Sequence, residues 1–320
     1  MRRDLVVIGG SAGALEPLKQ IVSDLPPDLP AAVLVVIHLA ATSKSALAPI
    51  LNRVGGMQAV IPRDGDPIRP GYVYVATPDH HLEVQDGVIR LTKGPRINGV
   101  RPAVDVLFRT AARHYGSRVA GVVLSGGLDD GSAGLMAIRA AGGMGIVQSP
   151  EDAVVESMPK NAIKVAEPEH VAPADEIGRL IAGAVREPVG AGGTMDKGGV
   201  EMEPVGVKDT PGQVTGITCP DCHGSIWLQT GEGGEVAFTC RVGHSYSPES
   251  FFEIQAENVE NAVWAAVRSL EEQAALAGVM GSQATRFGDA DGAKRFELRQ
   301  QMADANASTI RTVLLDRSEA

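Results

Sequence analysis

Asp4-Leu5-Val6-Val7-Ile8-Gly9-Gly10-Ser11-Ala12-Gly13 decides the fold. Its first half is an apolar, largely β-branched run with almost no polar alternation, as expected of a strand covered on both faces in a parallel sheet. The run leads straight into glycines. After Gly13 the apolar positions Leu15, Leu18, Ile21 and Val22 recur at helical spacing until Pro26-Pro27 stops the helix. A second strand at Ala32 to Ile37 and a helix over Ser45 to Arg53 complete a β-α-β-α unit. Further strands are expected at Tyr72 to Ala76, Leu82 to Val84, Val88 to Leu91, Val119 to Leu124 and Gly145 to Val147, with helices at Ala103 to His114 and Ala133 to Ala141. The pattern predicts the α/β class: a doubly wound, mainly parallel sheet flanked by helices, with its chemistry at the carboxyl ends of the strands.

The rest of the chain divides by composition. Residues 1–186 read as the α/β domain, and Glu187 to Gly216, rich in glycine, proline and charge, as a flexible linker. A small module follows at 217–248. The tail, 249–320, carries a stripe of Phe252, Val259, Val263, Val267 and Leu270, and Gly288-Asp289-Ala290-Asp291-Gly292 breaks it into a helical hairpin. In the whole 320-residue chain apolar residues make up 44% and charged residues 21%, a balance that supports a packed core. With 29 bases against 39 acids the net charge is −10, which argues against nucleic acid as a partner. The longest apolar stretch, Ala31 to Ala41, is far short of the ~20 residues that span a bilayer, and the N-terminus lacks a signal-peptide layout, so a cytoplasmic, non-inserted protein is expected.

Ser11 sits in the turn between the first strand and the first helix, where a hydroxyl is exposed and helix N–H groups meet an approaching anionic oxygen. A nucleophile suits that place; so does an ordinary glycine-serine turn. A nucleotide-binding turn is the third reading, although Gly-Gly-Ser-Ala-Gly-Ala lacks the full dinucleotide fingerprint. A serine hydroxyl needs a base within reach, itself oriented by a third group. His38 directly follows the second strand and emerges at the same sheet edge; it is either that base or a structural histidine. The loop Ser125-Gly126-Gly127-Leu128-Asp129-Asp130-Gly131-Ser132 after a third strand offers two acids, which either cap the next helix or orient an imidazole. Serine, histidine and aspartate at separate strand ends are more telling together than singly.

The cysteines, Cys219, Cys222 and Cys240, lie in the last third of the chain. With His244 they form C-x2-C-x17-C-x3-H, the spacing of a closed Cys3His zinc site built from two knuckles. His223 is a rival nitrogen ligand. In so small a module the metal would supply much of the folding free energy.

Several separated motifs in residues 4–186 resemble the catalytic domain of CheB-type protein-glutamate methylesterases, which demethylate chemotaxis receptors. They are Ile8 to Gly13, Ile37-His38-Leu39, Pro70 to Ala76, Pro78-Asp79-His80-His81-Leu82, Arg101 to Phe108, Gly126 to Gly134 and Met158-Pro159. The resemblance implies Ser11 as nucleophile, His38 as general base and Asp130, rather than Asp129, as orienting acid. It places the oxyanion contacts on backbone N–H groups at Ala12 and Gly127, and His80, His81 and Arg101 near the site, in substrate positioning or loop structure. The implied reaction hydrolyses glutamyl γ-methyl esters of a methylated chemoreceptor or similar signalling protein, peripheral to the membrane. It needs no catalytic cofactor, and deamidation of glutamine is allowed by the same tetrahedral chemistry. Family members that regulate chemotaxis carry a receiver domain ahead of the catalytic one; none is expected here, so control would come from another polypeptide or the enzyme would be constitutive. Thr239 to Tyr246 resembles the tail of some longer members, a likeness that names no activity; the tail reads either as a docking or self-association module with the Phe252 to Leu270 stripe as its contact face, or as a helix packed on its own hairpin. Three positions depart from the family: Ala12 replaces a serine or threonine, Gly127 a methionine and Leu128 a glycine. If position 128 needs positive φ, leucine there is strained. That departure and the receiver domain not expected here motivate the alternative, a catalytically weak or inactive adaptor of the same fold that binds partners through its C-terminal module.

Overall fold

The computed structural model describes residues 1–38, 46–189, 212–230 and 236–317. Most of the stretch read as a linker, and Ser45 at the head of the expected helix, lie outside the described residues. The chain forms two compact units, Met1–Phe251 and Phe252–Ala320.

Strands β1 (Leu5–Gly10), β2 (Ala32–Ile37), β3 (Gln58–Val60) and β4 (Tyr72–Val75) form one half of a seven-stranded sheet. The other half is β7 (Val119–Val123), β8 (Met144–Gln148) and β9 (His170–Ala172). The order is β3-β4-β2-β1-β7-β8-β9 and every pairing is parallel. The period-two alternation of a strand sends Val6, Ile8, Val33 and Val35 to one face and Leu5, Val7, Leu34 and Val36 to the other. Helices α1 (Leu15–Asp24), α2 (Leu47–Val54) and α6 (Ala174–Ala184) cover the first face. Helices α3 (Val104–Tyr115), α4 (Ser132–Ala140) and α5 (Ser157–Ala166) cover the second, with the hairpin β5 (His81–Gln85) and β6 (Val88–Thr92). This is the doubly wound fold expected from β1. The chain leaves β1 toward β2 on one side and returns as β7 on the other, so the switch in winding direction, where such folds open a crevice, falls at the carboxyl end of β1.

Beyond the expected elements the domain contains β3, β9, α5 and α6. Strand β10 (Gln213–Thr218) begins inside the stretch read as linker and pairs antiparallel with β11 (Ser225–Thr230), β12 (Val236–Cys240) and β13 (Ser245–Tyr246) in a four-stranded sheet. The sequence separates this module from the α/β domain, but it lies in the same compact unit. Helix α7 (Pro248–Arg286) starts in that unit, and its remainder pairs with α8 (Ala290–Arg317) as the expected hairpin, turning at Gly288 with φ +76°. Val267, Ala274, Ala303 and Ala307 are buried in it, whereas Phe252 and Val259 of the expected stripe are exposed.

Candidate active site

The register of β1 against β2 ends on the pair Gly10–Ile37, so Ser11 and His38 are the next residues along two hydrogen-bonded strands. The His38 N–H donates to the Gly10 carbonyl at 3.1 Å, and the Ser11 N–H to the Ser125 carbonyl at 2.9 Å. The strand ends therefore converge without any contribution from the side chains. Gly126, next to Ser125, permits the approach: a Cβ there would lie 2.8 Å from the Ser11 Cβ and 2.1 Å from the Met158 sulfur.

His38 Nε2 bonds Asp130 Oδ2 at 2.8 Å, with the histidine side chain 14% and the aspartate 3% exposed. Asp130 sits at the N-terminus of α3. Its Oδ2 accepts the Val104 N–H at 2.6 Å, and its Oδ1 accepts the Asp105 N–H at 3.1 Å and Asn98 Nδ2 at 3.3 Å. Burial alone would push the carboxyl up, but the hydrogen bond and charge of His38, with the two helix N–H groups, outweigh it and hold Asp130 below the ordinary value. Asp105 returns the arrangement: its Oδ1 accepts the N–H groups of Gly131 at 3.0 Å and Gly134 at 2.7 Å at the head of α4. Two buried aspartates thus cap each other's helices. Burial, reinforced by the Asp130 charge and opposed by Arg109, raises Asp105 to about 6.

The N–H groups of Ala12 and Gly127 have no acceptor among the described residues, and a Cβ at Gly127 would meet nothing within 4 Å. Leu128 takes φ +63°, the left-handed conformation a glycine would supply, and Asn161 Nδ2 holds its carbonyl at 3.0 Å. The substitution is accommodated in the backbone shape expected of glycine, with strain on the leucine.

The residues expected near the site divide. His81 is 2% exposed; Nε2 bonds the Pro95 carbonyl at 2.9 Å and Nδ1 accepts the Ala103 N–H at 3.3 Å, so both ring nitrogens are spent within the protein. Of the two roles left open for it, loop structure is the one this geometry serves, and burial lowers its basicity. Arg101 binds Asp79 Oδ1 through Nε at 3.0 Å and the Gly94 carbonyl through Nη1 at 2.6 Å, which also makes it a loop clamp. His80 is half-buried, its Nδ1 3.1 Å from the Pro78 carbonyl. Asn98 and Asp105 were missed from sequence. The Asn98-Gly99 pair, both with positive φ, is a turn signal that could have drawn attention to the first.

In the four-stranded sheet the ligand atoms of Cys219, Cys222, Cys240 and His244 lie within 4.8 Å of one another. Cys222 Sγ is 3.6 Å from Cys240 Sγ, and His244 Nδ1 is 3.6 and 3.5 Å from the sulfurs of Cys219 and Cys240. A tetrahedron with zinc–ligand bonds of about 2.1–2.3 Å has edges of roughly 3.5–3.8 Å, so the donor set fits the ion. His223, the rival ligand, is exposed and takes no part in the cluster.

Comparison with known proteins identifies the family. The family model described as CheB methylesterase matches residues 6–181. A protein-glutamate methylesterase/protein-glutamine glutaminase 2 of Anaeromyxobacter dehalogenans is 38% identical over 180 residues, 56% of this chain and 53% of the relative. A protein-glutamate methylesterase/protein-glutamine glutaminase of Symbiobacterium thermophilum is 39% identical over 186 residues, 58% of this chain and 51% of the relative. The chain thus spans about half the length of these curated relatives. A putative enzyme of the same name from Leptospira interrogans is 34% identical, with 94% of its length covered. The crystal structure of the Thermotoga maritima CheB methylesterase catalytic domain superposes with a TM-score of 0.55 at 34% identity, over 57% of this chain and 99% of that one. The chain belongs to the CheB methylesterase family.

Proposed function

We propose that the protein is a protein-glutamate methylesterase, hydrolysing glutamyl γ-methyl esters on a methylated chemoreceptor or similar signalling protein. The observation that carries this reading is the placement of Ser11 and His38 on adjacent strand ends, with His38 Nε2 held by the buried Asp130. Because Nε2 is committed to the carboxylate, Nδ1 is the nitrogen left to take the hydroxyl proton. Ser11 Oγ attacks the γ-carbonyl as its proton passes to His38, and Asp130 stabilises the imidazolium. The negative oxygen of the tetrahedral intermediate is received by the Ala12 and Gly127 N–H groups. The intermediate expels methoxide, which leaves as methanol with the proton from His38. Water, deprotonated by His38, then attacks the acyl-serine; the Ser11–acyl bond breaks, the serine recovers its proton, and glutamate is released. With glutamine as substrate the same steps expel ammonia. No catalytic cofactor enters.

Cys219, Cys222, Cys240 and His244 would hold a structural zinc ion, all four protein ligands leaving no open position for chemistry. No helix among the described residues is long and apolar enough to cross a membrane, in keeping with a cytoplasmic enzyme that meets membrane receptors peripherally. The exposed Phe252, Val259 and Phe287 of the tail hairpin support a partner or self-contact role for that unit. The test is methanol release from methylated receptor membranes. Wild type is expected to release methanol and Ser11→Ala to release none above background; equal release by both overturns the reading.

A further inference from the structure

Asn98 lies in the loop between β6 and α3, 6% exposed and at φ +52°. Its Nδ2 points at two carboxylates, Asp130 Oδ1 at 3.3 Å and Asp105 Oδ2 at 3.4 Å. At the other end its Oδ1 accepts the Ser247 N–H at 3.0 Å. Carboxylate oxygens require a donor and an N–H an acceptor, so the amide has one permitted orientation. The Asn98 N–H also donates to the Ser245 carbonyl at 2.8 Å, and Ile97 bridges Ser245 in a parallel pair. Ser245 directly follows His244 of the cysteine-histidine cluster, and Ser247 lies two residues further on.

The same segment grips Asp129, the neighbour of Asp130. Ser247 Oγ and Ser250 Oγ donate to Asp129 Oδ1 at 2.8 and 2.6 Å. Ser247 Oγ meanwhile accepts the Ser250 N–H at 3.1 Å, capping the first turn of α7. Around this contact Arg96 pairs with Asp221 at 3.5 Å, and Gly243 lies so close to Pro95 that a Cβ would stand 2.9 Å from the ring. The four-stranded module therefore closes on the loops that carry Asn98 and Asp129, behind the acid of the triad. All these residues belong to the first compact unit.

We propose that Asn98 is a positioning residue for Asp130, and that the Ser245–Ser250 segment clamps it, so that the C-terminal module completes the hydrolytic site in cis. The inference rests on the triad reading given above. Asp130 Oδ2 carries His38, and the orientation of that oxygen depends on what holds Oδ1. Without Asn98 only the Asp105 N–H remains on Oδ1, and the two buried carboxylates lose the donor they share. The Val104 and Asp105 N–H groups still hold one oxygen each, but the carboxylate plane loses its only side-chain donor besides His38 among the described residues and is fixed less firmly, and the imidazole with it.

The test compares wild type with Asn98→Asp and Asn98→Gly, and with the pair Ser247→Ala, Ser250→Ala, in the full-length, metal-loaded chain. Asn98→Asp is isosteric and keeps the acceptor for Ser247 but sets an acid, in place of the amide donor, against the two carboxylates. Asn98→Gly keeps the positive φ and loses both. The readout is the rate at which a fluorophosphonate labels Ser11, split into the inactivation rate constant and KI, with melting temperature as the check on folding. Both Asn98 variants are expected to lower the rate constant by roughly tenfold to a hundredfold with KI within about twofold. The serine pair keeps the backbone contacts to Asn98 but releases the segment from Asp129; it is expected to lower the rate constant by about threefold and to add little on top of Asn98→Gly, because both loosen the same segment behind Asp130. Wild-type labelling in a folded Asn98 variant overturns the proposal, and so does wild-type labelling in the serine pair. The probe reports serine activation whatever the natural substrate. A wild type that labels at Ser11 yet releases no methanol refutes the receptor-esterase reading and leaves this inference to the variants; a wild type that never labels refutes the triad and this inference together.

Discussion

The seven-stranded and four-stranded sheets hold functional side chains by different physics. Every residue of β1, β2, β7 and β8 is buried, so each Val, Ile or Leu there contributes on the order of 1.5–3 kcal/mol of burial and the strand ends have little freedom. Strand β10 has no buried residue and β11 only Ile226. The buried set of that module is little more than Cys219, Ile226, Cys240, Tyr246 and Phe251. A core this small holds a chain segment weakly by burial, and the zinc ion proposed for the cysteine-histidine cluster would supply the missing cross-link. The contrast explains the division of labour in the site. Ser11 and His38 are placed by sheet register, whereas the far oxygen of Asp130 is shared between the Asp105 N–H of α3 and Asn98, which the segment beside the cluster holds.

Substitution at the junction of the two regions should have the largest effect. Asp130→Asn presents an NH2 group where the carboxylate now accepts donors on both oxygens, and removes the charge facing the imidazolium. The turnover number for methanol release is expected to fall by roughly 10³–10⁴ while Ser11 stays in place. A loss below tenfold would mean that the acid does not orient His38.

Metal removal should separate the regions. Chelation, or Cys222→Ser, is expected to abolish stoichiometric zinc and to expose the amides of β10–β13 to rapid hydrogen exchange, while β1, β2 and β7 remain protected. Equal protection of both sheets in the metal-free chain would show that the four-stranded module stands on its own core.

The two capping aspartates should pull the acid stability in opposite directions. Asp105, raised to about 6 by burial, favours the fold in its protonated form. Its contribution is complete below the ordinary carboxyl range near pH 4 and is lost as pH rises toward 6. Asp130, held low, contributes above that range and loses its contribution as pH falls through its depressed value. Asp105→Asn should therefore remove the loss of stability between about pH 4 and 6, read as a flatter melting temperature against pH. An unchanged profile would place Asp105 outside the titration.

The smallest expected effect is local. Leu128→Gly relieves left-handed strain and should raise stability by about 1 kcal/mol in denaturant melts. A destabilised variant would show that the leucine side chain makes contacts worth more than the strain.

What was legible in the sequence follows the same line between the two sheets. Strands β1, β2 and β7 announce themselves because continuous apolar runs end in glycine and polar turns, and those ends carry Ser11, His38 and Asp130. Strand β3 has three residues and β9 has three, too few for any period to register. Helix α6 hides its apolar pair, Ile177 and Ile181, among glycines that weaken a helical pattern. The spacing singled out the four residues that the structure brings together in the cluster, but the strands between them were not assigned. Asn98 could not be found in that way: its role comes from the meeting of residues 98, 105, 130 and 247, which no local pattern joins.

The most direct test of the account is to treat the full-length protein with a fluorophosphonate and map the adduct by peptide mass spectrometry, alongside His38→Ala. The account expects a single adduct on Ser11 in the wild type and none in the variant. Labelling of another serine, or equal labelling of Ser11 without His38, would contradict it.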